Sequence, residues 1–325
     1  MTGVSLTPVP ERLVRIDDEV ADAIAANRAV VALESTIFSH LGLPSPANAH
    51  ALARCLTAIR VHGAVPAITA VLDGVPRVGI AEREHERILG AAHKMSEREI
   101  AVAIAQRWRF GATTVSAALC LASRAGIAVF ATGGIGGVHR GAQDSGDISA
   151  DLGAIARYPV VTVCAGAKSF LDLPRTLEHL ETLSVPVIGF GTDEFPAFTV
   201  RSSGLRLAIR VDSVAELADL ANAQRVLGST GVLVAVPVPE AQALAAAVGE
   251  AALERALEAA GHAGVRGPAV TPFVLAQIAE ATGGDAVTAN LALAENNAAV
   301  AAQLAVALHH QDLGHQDLGH QESAR

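Results

Sequence analysis

Short apolar runs alternate along the chain with longer stretches of helical periodicity. Six runs are rich in Val, Ile and Ala and are bounded by Gly or Pro: AVVALES, AVPAITAVL, IAVFATGG, PVVTVCAG, VPVIGFG and GVLVAVPVPE. Runs of this kind between helical patterns are typical of parallel strands that helices cover. The alternation therefore predicts an α/β fold with a largely parallel central sheet.

Several helix starts can be located from short motifs. Ser96 with Glu99, and Ser213 with Glu216, fit the Ser-x-x-Glu capping box, in which two side chains satisfy free backbone N–H groups. Ser45 followed by Pro46 predicts a further helix start, because Ser favours the N-cap and Pro the first helical position.

No stretch with the composition of a flexible linker occurs before about residue 308. We therefore expect one domain over residues 1–308, with two Ala-rich C-terminal helices packed against it; a boundary near residue 230 is the alternative. Residues 309–325 repeat HQDLG without an apolar helical face, which predicts a disordered tail rich in His and Gln. Its histidines would bind a metal weakly if at all.

Composition excludes several classes of protein. Apolar residues make up 51% of the 325 residues, but charged residues or His interrupt every long run, so we expect no membrane partner. No secretion signal is seen at the N-terminus, so we expect a cytoplasmic protein. The net charge of -9 and 3% aromatic content argue against a nucleic acid polymer as partner. Cys55, Cys120 and Cys164 lie far apart and are expected to be buried thiols.

Lysine is rare in this chain. Among 24 basic residues other than His, Lys94 and Lys168 are the two lysines and the rest are Arg. A lysine amine can lose its proton and attack a carbonyl, whereas a guanidinium stays protonated. Lys168, just after the run PVVTV, is therefore a candidate for an imine (Schiff-base) nucleophile; chance survival of two lysines is the alternative.

A glycine-rich segment, IGGVHRGAQDSGDISADL, follows the run IAVFATGG. His139 stands where a dinucleotide-binding fingerprint needs Gly or Ala, which argues against NAD. Glycine N–H groups, with His139 and Arg140, could instead bind a phosphate, which suggests a phosphomonoester substrate. Asp147 and Asp151 lie four residues apart at a predicted helix start, where they would either face one pocket and bind Mg²⁺ or Mn²⁺, or cap the helix; both interpretations stay open.

Glu34 follows a buried run and precedes a small polar segment. A desolvated carboxyl retains its proton and can act as a general acid, although a pair with an Arg at the sheet edge is equally compatible with its position. Glu34, Lys168 and the glycine-rich segment all follow predicted strands. Because parallel strands present their carboxyl ends at one edge, we expect these residues to form one site.

Seven motifs together resemble the pseudouridine-5'-phosphate glycosidases, also called the indigoidine-synthase-A-like family: ALESTIFSH, HKMSERE, GATTV, ATGGIGGVHRGA, DISADL, CAGAKS and GTDEFPAF. The resemblance spans roughly residues 15–308. It implies a three-layer α/β/α fold, a homotrimer, one Mn²⁺ per subunit, and reversible cleavage of the C–C bond of pseudouridine 5'-phosphate to uracil and ribose 5-phosphate.

The same resemblance assigns roles to individual residues. It implies that Lys168 holds the opened ribose as an imine, that Glu34 is the proton donor and that Asp147 binds the metal. The substrate-binding residues that it implies are Lys94, Val115, Ser149, Ala150 and Asp151, to which we add His139 from the glycine-rich segment. SHLGLPSPAN is one residue longer than the family pattern near Leu41, downstream of Glu34.

Two rival functions remain at this stage. The chain could be a related C-glycoside lyase or condensing enzyme that acts on another phosphorylated sugar. It could also be a non-catalytic sugar-phosphate sensor, although the presence of Glu34, Asp147 and Lys168 argues against a protein that needs no nucleophile. The sequence does not specify the direction of the reaction or the metal used.

Overall fold

The computed structural model of the protein describes residues 13–228, 230–265 and 267–322, with backbone alone at residue 268 and residues 312–322. The first twelve residues, on which the expectation of no secretion signal mainly rests, lie outside the described residues, as do the last three of the predicted tail.

The central sheet is largely parallel, as predicted. Its strands follow the order β1-β4-β3-β2-β7-β8-β11-β9-β10, and β3, β2, β7, β8, β11, β9 and β10 pair in parallel. All six predicted strand runs lie in it. The strands are β1 (Arg15–Ile16), β2 (Val30–Leu33), β3 (Val65–Leu72), β4 (Val75–Val78), β5 (His93–Met95), β6 (Phe110–Thr113), β7 (Val129–Ala131), β8 (Val161–Cys164), β9 (Val187–Phe190), β10 (Ile209–Val211) and β11 (Val232–Ala235).

The strand β3 connects the main sheet to a smaller set of strands. Its first half pairs in parallel with β2, whereas its second half pairs antiparallel with β4 and β6. β5 then adds in parallel to β6, with Lys94 opposite Ala112. This branch brings Lys94 to the side of the sheet where β2 lies.

Helices cover both faces of the sheet, which confirms the α/β/α architecture. Alternate residues of β2 show this, since Val31 and Leu33 pack in one buried cluster and Val30 and Ala32 in another. The helices are α1 (Asp18–Ala25), α2 (Ala47–Val61), α3 (His85–Ile88), α4 (Ile100–Ala105), α5 (Val115–Arg124), α6 (Ala142–Ser145), α7 (Ala150–Arg157), α8 (Leu173–Thr182), α9 (Val214–Leu227), α10 (Ala246–His262), α11 (Val270–Ala281) and α12 (Asp285–Glu322). The three cysteines are free and buried, as expected.

Two of the three predicted helix starts are confirmed. Ser96 and Ser213 form complete capping boxes with Glu99 and Glu216, the first on a short 3-10 turn that leads into α4. The prediction of Ser45 as an N-cap is wrong, because Pro46 takes that position and no side chain caps α2. The carbonyl of Pro44 accepts the N–H of Asn48 at 3.1 Å, so the helix start is satisfied by backbone instead.

The C-terminal region contains one more helix than predicted. α10, α11 and α12 follow β11, and α12 continues through residue 322, past the predicted boundary at 309. The described part of this extension makes contact, since Gln311 Nε2 donates to Asp219 of α9 at 2.7 Å. The prediction of a disordered tail over residues 309–325 stays a prediction.

Within the described residues, the segment Asp285–Gln311 of α12 is long and apolar enough to cross a membrane by length and composition, contrary to the expectation from the sequence. However, 56% of its apolar window is buried inside the protein. Its apolar residues pack against α2 and the sheet, as expected of a core helix.

Candidate active site

The site forms where three neighbouring strands end. β2, β7 and β8 lie side by side, and their carboxyl ends lead into Glu34, Thr132 and the loop that carries Lys168. Each of these residues follows a buried strand, so the backbone before it is fixed by the sheet. The predicted gathering of Glu34 and Lys168 at one edge is therefore what the fold produces.

The Glu34 carboxyl is buried beside a single hydroxyl donor. Its side chain belongs to a residue only 7% exposed, and Thr132 Oγ1 donates to its Oε1 at 2.5 Å. Burial raises the pKa of Glu34, because desolvation outweighs the opposing effects of Lys168 and the Thr132 hydrogen bond. A raised pKa favours the protonated carboxyl, which is the form that a general acid requires.

Lys168 is held against the end of β7. Its Nζ donates to the carbonyl of Gly134 at 2.6 Å, and its backbone N–H donates to the carbonyl of Ile135 at 3.1 Å. The side chain is half-buried, and its charge acts on Glu34, Lys94 and His139. The amine is therefore placed in the same pocket as the candidate acid.

Lys94 enters this pocket from β5. Desolvation by the surrounding protein lowers the pKa of Lys94, and Lys168 lowers it further, against the effects of Asp151, Glu34 and Asp147. The side chain nevertheless keeps a solvent-exposed part, so its ammonium can meet a ligand. Lys94 is placed as a compact cation beside the nucleophile candidate.

Asp151 binds two backbone N–H groups, and its charge, like that of Asp147, acts on Lys94. It lies in the first turn of α7, for which Ser149 is the N-cap, so Asp151 neither caps the helix nor shares a helix face with Asp147, which precedes it. The Asp151 carboxylate accepts the N–H of Ser116 at 3.0 Å and that of Gly136 at 2.9 Å. One glycine N–H that could have met a phosphate thus binds an internal carboxylate, which fixes the glycine-rich loop.

Asp147 is the carboxylate available for a metal ion. Its side chain is 44% exposed, and its Oδ2 lies 3.8 Å from His139 Nδ1. Burial lowers the pKa of His139, against the effect of Asp147. Among the described residues, no three His, Cys, Asp or Glu side chains surround one point. A hard cation bound here would therefore take one protein carboxylate and fill its shell with water and substrate oxygens, which suits Mg²⁺ or Mn²⁺.

The other predicted residues lie around these groups. Val115 is the first residue of α5 and is buried, next to the Ser116 N–H that Asp151 binds. Ala150 is exposed at the start of α7. Arg140 points its Nε to the carbonyl of Phe170 at 3.2 Å, so this donor is used within the loop.

Sequence reasoning missed three polar residues at the site. Thr132 holds Glu34, as described. Asn297 of α12 is fully buried, and its Nδ2 donates to the carbonyls of Thr132 at 2.8 Å and Gly133 at 3.3 Å. Asn290, two helical turns earlier, has a buried Oδ1 without a hydrogen-bond partner among the described residues. Two asparagines seven residues apart on an Ala-rich helix were the available signal.

A cleft of about 260 Å³ adjoins the Lys168 loop at Ser169, although Glu34, Lys94, Asp147 and Lys168 are not among the residues that line it. Asn290 lines it from α12, Ser169 from the residue after the lysine, and Phe198 from the loop after β9; residues 40–44 and α11 complete its wall. The cleft is thus bounded by the one loop in which the sequence departs from the family pattern.

Comparison with known proteins gives a consistent result. The family described as indigoidine synthase A like protein matches residues 19–307. Proteins named pseudouridine-5'-phosphate glycosidase from Solibacter usitatus and Chloroflexus aurantiacus are 49% and 50% identical, over 90% of this chain and 99% and 98% of theirs. The protein of that name from Arabidopsis thaliana is 47% identical over 91% of this chain and 90% of its own length.

Two solved structures share the fold. A prealnumycin C-glycosynthase, solved in complex with ribulose 5-phosphate, superposes with a TM-score of 0.85 at 37% identity and covers 94% of this chain and 100% of its own. An indigoidine synthase A-like protein from Thermotoga maritima superposes with a TM-score of 0.79 at 37% identity, over 87% of this chain and 94% of its own.

Proposed function

The chain belongs to the family of indigoidine synthase A-like proteins, and from that premise we propose that it reversibly cleaves the C–C glycosidic bond of pseudouridine 5'-phosphate to uracil and ribose 5-phosphate. The relatives that carry the glycosidase name, at 47–50% identity, support this reaction. The observation that carries the proposal is that Glu34 after β2, whose pKa is raised, lies close enough to Lys168 after β8 and to Lys94 of β5 for their charges to act on it.

Lys168 acts as the nucleophile. Its neutral amine attacks the anomeric carbon of the ribose, the bond to the ring oxygen breaks, and that oxygen takes a proton. The nitrogen lone pair then supports departure of the base, which leaves the opened sugar joined to Lys168 as a protonated imine. The C–C bond leaves its electron pair on the base, where a proton must capture it, and the lysine nitrogen supplies the electrons that the anomeric carbon loses by forming the C=N bond of the imine.

Glu34 protonates the departing carbon of the base. Its raised pKa keeps the proton available, and the Thr132 hydroxyl fixes the orientation of the carboxyl. Water then hydrolyses the imine, which releases ribose 5-phosphate and regenerates the amine. The reverse sequence joins the same two products, so the proposed reaction is reversible.

The remaining polar groups bind the substrate. Lys94 offers an ammonium to phosphate or sugar oxygens, and Ser149, Ala150, Asp151, Val115 and His139 surround the same pocket. A cation at Asp147, which we propose to be one Mn²⁺ per subunit, would offset negative charge on substrate oxygens.

We also propose, as the family resemblance implies, that the protein is a homotrimer and that it acts in the cytoplasm. The C-glycosynthase is a less similar relative, at 37% identity, than the glycosidases. Cleavage of pseudouridine 5'-phosphate is therefore the function that we place first.

The test is direct. The protein should release uracil and ribose 5-phosphate from pseudouridine 5'-phosphate with Mn²⁺, as measured by liquid chromatography and mass spectrometry. Borohydride with ribose 5-phosphate should add one sugar-phosphate mass to the peptide containing Lys168. No uracil release would refute the reaction, and an adduct elsewhere would refute the role of Lys168.

A further inference from the structure

The motif GTDEFPAF has no role in the reaction described above, yet part of it forms a turn against the Lys168 loop. In this turn, residues 195–200, Phe198 has a φ of 62°, in the left-handed region. A bulky aromatic residue there is an outlier that costs about 1–3 kcal/mol. Such a conformation persists where surrounding contacts impose it, and those contacts lie at the candidate active site.

Backbone hydrogen bonds fix the turn. The Phe198 N–H donates to the carbonyl of Ala165, just after β8, at 3.0 Å, and the Ala197 N–H donates to the carbonyl of Val200 at 3.0 Å. The carbonyl of Thr199 accepts the Leu244 N–H at 2.9 Å, which ties the turn to the segment before α10. The turn is therefore held from both sides.

The turn packs on two glycines that flank Lys168. A Cβ on Gly134 would lie 2.7 Å from Phe198 Cδ2, and one on Gly166 would lie 2.1 Å from the carbonyl oxygen of Pro196. Both approaches are closer than a side chain allows, so glycine is required at each position. The ring of Phe198, 4% exposed, thus lies directly on the Gly134 backbone.

The same Gly134 peptide holds the lysine, because its carbonyl accepts the hydrogen bond from Lys168 Nζ at 2.6 Å. The carbonyl of Gly166 in turn accepts the Ile135 N–H at 3.0 Å, which joins the two loops. The Phe198 ring, which packs against Gly134, therefore restricts the position of the Gly134 carbonyl that accepts the hydrogen bond from the Lys168 amine.

We propose that Phe198 is a positioning residue for Lys168, and that its left-handed backbone is retained because it places the ring against Gly134. Phe198 also forms part of the wall of the cleft. Phe198 acts through the Gly134 carbonyl. The inference rests on the proposed function only for its catalytic consequence, since the placement of the amine is a property of the protein itself.

The experiment compares Phe198→Leu with Phe110→Leu. Phe110 is equally buried, at 4% exposure, but lies at the start of β6. Each variant is treated with formaldehyde and cyanoborohydride, and peptide mass spectrometry gives the methylation rate of Lys168 relative to that of the N-terminal amine, because the charge of Lys168 acts on Lys94, the other lysine of the chain. Release of the amine from Gly134 should raise this ratio about fivefold in Phe198→Leu and leave it unchanged in Phe110→Leu.

A second readout measures the catalytic consequence. Trapping of ribose 5-phosphate on Lys168 by borohydride should slow about tenfold or more in Phe198→Leu, because a misplaced nucleophile loses its attack geometry, but less than about twofold in Phe110→Leu. If Phe198→Leu does not fold, Phe198→Met, which keeps most of the volume without the ring, replaces it.

The methylation ratio decides the inference. An unchanged ratio in the Phe198 variant, or an equal rise in both variants, would overturn it. If the ratio rises in Phe198→Leu alone but the parent protein forms no sugar adduct, the positioning role stands and the imine mechanism fails. If the parent forms the adduct and the ratio does not change, the mechanism stands and the positioning role fails.

Discussion

Replacement of Lys168 by Arg separates charge from nucleophilicity. The chain uses Arg at 22 of its 24 lysine and arginine positions, so Lys168→Arg is the substitution it would accept if position 168 needed only a positive charge. A guanidinium keeps the charge that acts on Glu34 and can still donate to the Gly134 carbonyl. It cannot lose a proton and form an imine.

The structure sets the size of the two effects. At most one hydrogen bond of the half-buried side chain is weakened, which corresponds to about 1 kcal/mol in stability and a change in KM below about tenfold. Loss of the covalent intermediate removes the nitrogen lone pair that stabilises the anomeric carbon during C–C cleavage. We expect kcat to fall by at least about 10³-fold, which is about 4 kcal/mol of barrier.

The assay measures uracil release at several substrate concentrations, with denaturant unfolding as the stability measurement. Lys94→Arg is the matched control, because it changes the other lysine of the same pocket, and it should raise KM while keeping the borohydride adduct on Lys168. Turnover of Lys168→Arg within about tenfold of the parent, about 1.4 kcal/mol, would exclude covalent catalysis by Lys168.

Three further predictions test the acid, the metal ligand and the loop. Burial raises the pKa of Glu34 above its ordinary value of 4.5, so over the pH range between 4.5 and the folded pKa the folded state keeps a proton that the unfolded chain releases, and the parent loses stability as pH rises. Glu34→Gln does not titrate, so its melting temperature should rise relative to that of the parent over this range. A constant difference between the two melting temperatures would contradict the shift. The same variant should still form the sugar adduct but release no uracil. Asp147→Ala should need far more Mn²⁺ for activity than the parent, in a metal titration after chelation, whereas full activity of the parent in chelator would contradict a metal role. Asp151→Asn should lower the free energy of unfolding in urea by about 2–3 kcal/mol, because the two carboxylate oxygens accept the N–H groups of Ser116 and Gly136 and an amide has one oxygen. A decrease below about 0.5 kcal/mol would show that these hydrogen bonds do not support the loop.

Some features of the fold are local and can be predicted from the sequence. The strands β2, β3, β7, β8 and β11 are buried on both faces, so each is a short, largely apolar run rich in Val and Ala. Ser96 and Ser213 cap their helices through a glutamate three residues away, within one turn. Ser45 shows the limit of such patterns, because the backbone of the preceding turn took the hydrogen bond that its hydroxyl would have accepted.

The gathering of Glu34 and Lys168 is also contained in the sequence, through topology. Residues that follow parallel strands share one edge of the sheet, so the placement of Glu34 and Lys168 after such strands predicts their proximity. The rarity of lysine in the chain indicated that Lys168 is a candidate nucleophile. Tertiary structure decided which strands are neighbours, and the order β2-β7-β8 places Thr132 between them as the hydroxyl partner of Glu34.

Other roles depended on contacts between residues far apart in the chain. The fold places the N–H groups of Ser116 and Gly136 on the two oxygens of Asp151, and its position at a helix start does not specify these contacts. Asn297 and Phe198 act on Gly133 and Gly134 from more than sixty residues away, and neither lies in a local pattern that specifies its partner. The sequence by itself determined six strands of the sheet, two capped helix starts and the edge at which Glu34 and Lys168 meet, because periodicity and short-range hydrogen bonds are local. Tertiary packing alone decided which backbone groups each polar or aromatic side chain contacts, because these contacts depend on how separate helices, strands and loops pack together.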